Sequence, residues 1–222
     1  MQKINLQENK LVVWIIGTNG SSKTTQARML HEYFRNIAGD IIRPLLFEYD
    51  KNGCGSGSNS SQTYFYFTKM GSLSSNLGNL KGNACSGTDN LGKKEQVILA
   101  FKKALQHTPV VVLEGIMATG QYIEFLKTDE TIVYLVHLTL TEDALFDRLK
   151  HRRATKTGLG IESVIIAPKT RENMLGKLKG FKSLFERMKS RVDLSREIDS
   201  TKLTKEQIHK IIVMDVEKLI QR

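Results

Sequence analysis

The stretch from residue 11 to residue 25 constrains the fold more than any other part of the chain. Leu11-Val12-Val13-Trp14-Ile15-Ile16 is an unbroken apolar run, and Gly17-Thr18-Asn19-Gly20-Ser21-Ser22-Lys23-Thr24-Thr25 follows it directly. Apolar residues without alternation suit a strand covered on both faces, the usual condition in a parallel sheet. Parallel strands need helical crossovers. Residues 26–37 supply the first, with Met29, Leu30, Tyr33, Phe34 and Ile37 on one face and Gly39 closing the helix.

The alternation of strand and helix continues along the chain. Strands are expected at 41–47, 110–113 and 131–138, with a short last strand at 196–199. Helices are expected at 93–106, from the N-cap Thr141 to about Arg153, and at 171–192. A capping box of Thr204 and Gln207 opens a final helix. The pattern predicts an α/β protein of three layers, with a parallel sheet of about five strands in a single domain covering residues 1–222. Residues 52–92 break the pattern with Gly, Ser and Asn, and read as a long insertion on the acceptor side. Within it the aromatic cluster Tyr64, Phe65, Tyr66 and Phe67 reads as local core, with base stacking the other reading. Residues 154–170, with Gly158, Gly160 and Pro168, read as a glycine-hinged lid.

The segment after the first strand fits the phosphate-binding P-loop, which asks for Gly, four residues, Gly, Lys and then Ser or Thr. Gly17, Lys23 and Thr24 fit, and Ser22 stands in place of the second Gly. Successive backbone N–H groups and a helix N-terminus form a concave positive site for phosphate oxygens. Gly17, Asn19, Gly20, Ser21, Ser22, Lys23, Thr24 and Thr25 are therefore the expected nucleotide-binding residues. Lys23 is expected to reach the β- and γ-phosphates of ATP, and the Thr24 hydroxyl to hold Mg2+. A Ser where φ must be positive costs about 1 kcal/mol.

Three further groups complete the candidate site. Glu114 ends the apolar strand 110–113, and ligands bind at the carboxyl ends of parallel strands, so it is a second metal candidate. Arg148 and Arg152, four apart on one helical face, are expected to stabilise charge on a transferring phosphoryl group. Arg148 is also a nucleotide contact, and Arg153 a substrate contact. Asp50 is the first choice for the general base, as it leaves a strand's carboxyl end; Asp89 and Glu48 are the other acceptor-side acids.

The loop from Asn19 to Gln26 resembles the thymidylate kinase version of the nucleoside monophosphate kinases, in which an Asp stands at the position of Asn19. A looser likeness in strand order and in the Arg-rich segment covers most of the chain. The chain is also similar to small phage-type P-loop kinases, including those proposed to phosphorylate hydroxymethyluracil in DNA. The resemblance implies a P-loop kinase fold, ATP and Mg2+, a Walker B-like role for Glu114, a closing lid and a phage origin. The Asp-Arg pair that thymidylate kinases carry near Glu114 is absent.

Charge bears on the partner. With 33 Lys+Arg against 23 Asp+Glu, the net charge of +10 suits nucleotide phosphates or a nucleic acid. The expected partners are a nucleotide or a nucleic-acid acceptor and no membrane, with a homodimer left open. Cys54 and Cys85 read as reduced thiols, and the five His residues show no metal-ligand spacing. The first ten residues lack a signal-peptide core, so a cytoplasmic location is expected. A nucleic-acid-binding or regulatory module and a switch ATPase, each with a degenerate P-loop, are the competing functions.

Overall fold

A computed structural model describes residues 9–38, 43–48, 62–67, 110–114 and 123–219, and helical positions 95, 98, 101, 102, 105 and 106. Four parallel strands form its central sheet: β1 (Lys10–Gly17), β4 (Val110–Glu114), β5 (Thr131–Thr139) and β6 (Leu194–Asp199), in the order β4-β1-β5-β6. The helices are α1 (Lys23–Ala38), α2 (Ile123–Leu126), α3 (Glu142–Thr157), α4 (Pro168–Met188) and α5 (Lys205–Leu219).

The apolar run in β1 builds both faces of the sheet at once. Val12, Trp14 and Ile16 join Phe181, Leu184, Phe185 and Met188 of α4 in one core. Leu11, Val13 and Ile15 join Ala27, Leu30 and Phe34 of α1 and Ile208, Ile212 and Val216 of α5 in the other. Every residue from Leu11 to Ile16 is fully buried, as a two-sided strand requires. The three-layer α/β architecture expected from the sequence is present.

The expected sheet of about five strands is corrected to four among the described residues. The segment expected as the second strand is β2 (Arg43–Glu48), and it pairs antiparallel with β3 (Gln62–Phe67) in a separate two-stranded sheet. The aromatic cluster thus has strand backbone, in keeping with the β-propensity of Tyr and Phe. Its side chains, and residues 49–61 and 68–94 with the rest of the insertion, lie outside the described residues.

Two boundaries also move. The start of the expected lid, residues 154–157, is the last turn of α3. Ala154 is buried, and Gly158 ends the helix in the left-handed region (φ 72°), its N–H donating to the Ala154 carbonyl. A 3-10 turn at Ile161–Ser163 follows. Helix α4 begins at Pro168, a residue suited to a first helical position, and ends at Met188, earlier than the periodicity predicts. The caps of the flanking helices agree with expectation. Thr141 Oγ1 accepts from the Ala144 N–H, and Thr204 and Gln207 exchange hydrogen bonds of 2.9 and 3.2 Å.

No helix among the described residues is long and apolar enough to cross a membrane.

His137 on β5 shows how β6 is held. Its ring is buried, lies 5.2 Å from that of Phe185, and shares a 3.0 Å hydrogen bond with Glu197 of β6. Burial lowers its pKa, while Glu197 pulls the other way. The unfolded chain therefore binds more protons than the fold once the pH is below about 6.5. Stability should decline as pH falls from there toward the lower folded value. His137→Gln should flatten that slope, read from denaturant midpoints between pH 7 and pH 5. An unchanged slope would show that His137 is not responsible.

Candidate functional site

The four parallel strands end together at one edge of the sheet. Gly17 pairs with Leu138, Ile15 with Glu114, and Thr139 with Asp199. Gly17, Glu114, Thr139 and Asp199 therefore mark a common rim, the side where ligands of open α/β sheets bind.

Gly17 cannot be any other residue. A Cβ there would stand 2.5 Å from the carbonyl oxygen of Leu138, so the backbone of β5 would have to shift. Its φ of +147° also disfavours any side chain. Gly20 is left-handed as well, at φ +80°. Ser22, where the sequence pattern wants Gly, has φ +71°, the only positive value for a non-glycine among the described residues. The expected strain is therefore present, about 1–3 kcal/mol for such a residue. The Ser22 carbonyl accepts from the Gln26 N–H at 2.9 Å and so starts the hydrogen-bond ladder of α1. Earlier amides of that helix have no intrahelical acceptor, and the helix dipole adds partial positive charge to them.

The loop is braced from within. Ser21 Oγ and Lys23 Nζ both donate to the Thr18 carbonyl, at 2.9 and 2.8 Å. The Lys23 ammonium is 8% exposed and lies 6.0 Å from the centre of the Phe181 ring. Thr24 Oγ1 stands 3.4 Å from Glu114 Oε1 across the rim. Glu114 is buried at 4% exposure. Thr25 lies in the first turn of α1, half-buried. Thr18 Oγ1 and Asn19 Oδ1 are buried without a hydrogen-bond partner among the described residues.

Thr24 and Glu114 suit Mg2+. Both offer hard oxygen, and no group of three His, Cys, Asp or Glu that could cage a metal occurs among the described residues. Mg2+ commonly takes one or two protein oxygens and completes its shell with water and substrate phosphates.

The arginines separate into different positions. The Arg148 stem packs beside Gly20, and its guanidinium donates to the Gly20 carbonyl at 2.9 Å and to the Ser200 carbonyl. Arg153 donates to the Ile165 carbonyl at 3.2 Å, tying α3 to the segment before α4. Arg152 is exposed. Asp199, which the sequence reading left aside, lies on the rim. Its carboxyl is held below the usual range first by the Thr201 N–H, with Lys202 and Arg148 adding charge. Glu48 ends β2, with its side chain outside the described residues, and Asp50 and Asp89 lie outside them altogether.

Four residues near the site escaped sequence reasoning: Thr18, Ser200, Phe181 and Gln26. Thr18 and Ser200 act through backbone carbonyls, which leave no side-chain signal. Phe181 of α4 packs in the core, and an aromatic at helical spacing there gives no sign of a second contact with Lys23. Gln26 Nε2 donates to the Lys205 carbonyl at 2.8 Å, joining α1 to the start of α5.

No protein-family model matches the chain, and no curated protein matches it in sequence. Solved structures do. A protein from Chloroflexus aurantiacus, described as a candidate kinase, aligns at a TM-score of 0.53 and 15% identity, covering 97% of this chain and 100% of that one. The YorR protein of Bacillus subtilis, in complex with phosphorylated GDP, aligns at 0.46 and 13% identity over 93% and 95% of the two chains. Deoxyadenosine kinase from M. mycoides with bound dCTP aligns at 0.43 and 12% identity over 93% and 98%. The likeness to the Chloroflexus protein shows that the two chains share a fold over nearly their whole lengths.

Proposed function

We propose that this chain is an ATP- and Mg2+-dependent phosphotransferase acting on a nucleotide or on a hydroxyl carried by a nucleic acid. One observation carries the reading: the turn between β1 and α1 is built as a phosphate cradle, with the Lys23 ammonium folded across it and Thr24 facing a buried carboxylate.

In this reading the amides from Gly17 to Thr25, apart from that of Ser21, which donates to the Thr18 carbonyl, hold the phosphate tail of ATP, and Lys23 neutralises its β- and γ-oxygens. Thr24 and Glu114 would hold Mg2+, which supplies electrostatic stabilisation of the phosphates when bound. Arg152 is free to turn toward the transferring group from the exposed side of α3, with Arg148 behind it at the loop. Transfer forms the bond from the acceptor oxygen to the γ-phosphorus, breaks the bond to the ADP oxygen, and passes the acceptor proton to a carboxylate. Asp50 is the proposed base, with Asp89 and Glu48 as the other acids on the acceptor side. Residues 158–167 would complete the lid.

Incubation with γ-labelled ATP and a panel of deoxynucleosides, mononucleotides, plain DNA and hydroxymethylated DNA tests the reading. Label in one acceptor class is expected. Label in hydroxymethylated DNA alone would select the polymeric acceptor. Phosphate release at full rate without any acceptor would instead favour a switch ATPase, and nucleic-acid binding without turnover would favour a binding module, the reading that the strain at Ser22 supports.

Glu114 gives a separate check. Glu114→Gln keeps the shape and removes the charge, and should raise the Mg2+ concentration for half-maximal turnover by about tenfold or more. An unchanged Mg2+ dependence would remove Glu114 from the metal site.

A further inference from the structure

We infer that Arg148 is a positioning residue, whose task is to hold the phosphate loop in a strained shape that Ser22 would otherwise let go. The inference rests on the phosphate-cradle reading of that loop and changes the role of Arg148 within it.

Ser22 has φ +71°, and Gly20, two residues before it, has φ +80°. A non-glycine residue persists in this region only when its surroundings over-determine the backbone. Inside the loop three hydrogen bonds converge on one atom, the Thr18 carbonyl, from the Ser21 hydroxyl, the Ser21 N–H and the Lys23 ammonium, while the Ser22 carbonyl is held from α1 by the Gln26 N–H. They tie the base of the loop. They leave the tip at Gly20 to something outside it.

Arg148 is what meets that tip. A Cβ placed on Gly20 would stand 3.5 Å from Arg148 Cβ and 3.9 Å from its Cδ, so the arginine stem lies along the left-handed residue. The guanidinium then turns back onto the carbonyl of the same residue at 2.9 Å, and its other arm takes the Ser200 carbonyl. Ser200 is itself fixed, since its N–H and Oγ both donate to the Thr139 carbonyl at 3.0 and 2.7 Å. The sheet rim thus holds Ser200, Ser200 holds Arg148, and Arg148 holds Gly20. A planar guanidinium with both arms engaged is a rigid strut, which an ammonium is not. Those arms are spent on backbone carbonyls, so Arg148 supports the cradle, and Arg152 is left as an exposed cation on that face.

The consequence is energetic coupling between Ser22 and Arg148, which do not need to touch. Ser22→Gly removes the strain and with it the need for the strut. Amide exchange of residues 18–25 in the nucleotide-free protein reads this directly, for wild type, S22G, R148A, R148K and the S22G/R148A pair. R148A is expected to speed exchange of the loop amides by about tenfold, and S22G to bring the double variant back to within about twofold of wild type. R148K, which keeps the stem and reaches one carbonyl, should fall between. If R148A does not fold, R148K with and without S22G gives the same comparison. Loop exchange unaltered by loss of Arg148, or unaltered by S22G in its absence, overturns the proposal.

A second arm separates positioning from direct contact. Affinity for a non-hydrolysable ATP analogue should drop about tenfold in R148A and recover with S22G, with the larger part of the kinetic loss in KM. A loss confined to kcat, with analogue affinity intact and no rescue by S22G, would place Arg148 on the transferring phosphoryl group and overturn the proposal. Should wild type show no ATP turnover at all, the proposed function fails, and the exchange measurements still decide the strut.

Discussion

Lys23→Met is expected to lower kcat/KM for ATP by at least about a thousandfold, equivalent to roughly 4 kcal/mol of transition-state stabilisation. The size follows from where the ammonium sits. Lys23 is 8% exposed, lodged between the Thr18 carbonyl and the face of Phe181. A unit charge about 4 Å from a phosphate charge contributes about 4 kcal/mol at the effective dielectric of such a partly buried site. In water the same pair contributes about a quarter of that at most, so burial is what makes the residue matter. Methionine keeps an unbranched apolar stem beside Phe181 and removes the charge and its hydrogen bond to the Thr18 carbonyl, which still accepts from Ser21, so the melting temperature should stay close to that of wild type. Lys23→Arg should not rescue. A guanidinium is a planar fork, larger than the compact ammonium that the Thr18 carbonyl and Phe181 now enclose. Steady-state turnover with calorimetric binding of an ATP analogue checks the prediction. Turnover of the methionine variant within tenfold of wild type would remove Lys23 from phosphate chemistry.

What the sequence reveals here is whatever is written in neighbouring residues. The run from Leu11 to Ile16 reads as a two-sided strand because each residue in it is apolar, and each is buried. Ser22 breaks a local pattern at one position, and the backbone is strained at that position. The capping box at Thr204 works the same way, through side chains three residues apart. The end of α3 is written locally too, since Gly158 is a strong C-cap four residues beyond the buried Ala154. Pairing between distant segments is not written locally. The pairing of β2 with β3 depends on strands separated by a Gly/Ser-rich stretch, and β2 alone looks like any other apolar strand. The role of Arg148 is hidden for a different reason. Its acceptors are the carbonyls of Gly20 and Ser200, 128 and 52 residues away, and a carbonyl is the same whatever side chain accompanies it.

Asp215→Ala is expected to cost about 3 kcal/mol of stability, a fall of about 6–12 °C in melting temperature for a chain of this size. Asp215 lies on α5, and its side chain is 4% exposed. It accepts from the Tyr134 hydroxyl at 2.7 Å and from two nitrogens of Arg196 at 2.8 Å each. Burial by itself would raise its pKa, but the Arg196 and Tyr134 hydrogen bonds win and hold it below the ordinary carboxylate range. Burial also drives the Tyr134 hydroxyl well above its usual value, with the Asp215 hydrogen bond adding to the effect, so it stays a donor. Truncation strands that fully buried hydroxyl, at about 1–3 kcal/mol, and that is the larger share of the cost. The Arg196 side chain is 45% exposed and can turn to water, so its half of the ion pair is discounted to about 1 kcal/mol or less. Tyr134→Phe should therefore cost only about 1 kcal/mol, since it removes donor and need together. Because the folded pKa is depressed, this stability is present above the unfolded value near about 3.9 and is lost as pH falls through the folded one. Asp215→Asn should abolish that part of the acid dependence. The loss also has a functional reach. Among the described residues β6 pairs with one neighbour, β5, and the Arg196–Asp215 bond fastens it to α5. The residue after β6 is Ser200, which anchors Arg148 and through it the phosphate loop. Loosening Asp215 should then speed amide exchange at the tip of that loop before global unfolding begins. Denaturant titrations from pH 2 to pH 7, with exchange read at Gly20, test both halves of the claim. An Asp215→Ala protein that melts within a degree of wild type, with Gly20 equally protected, would show that this edge is held by packing alone.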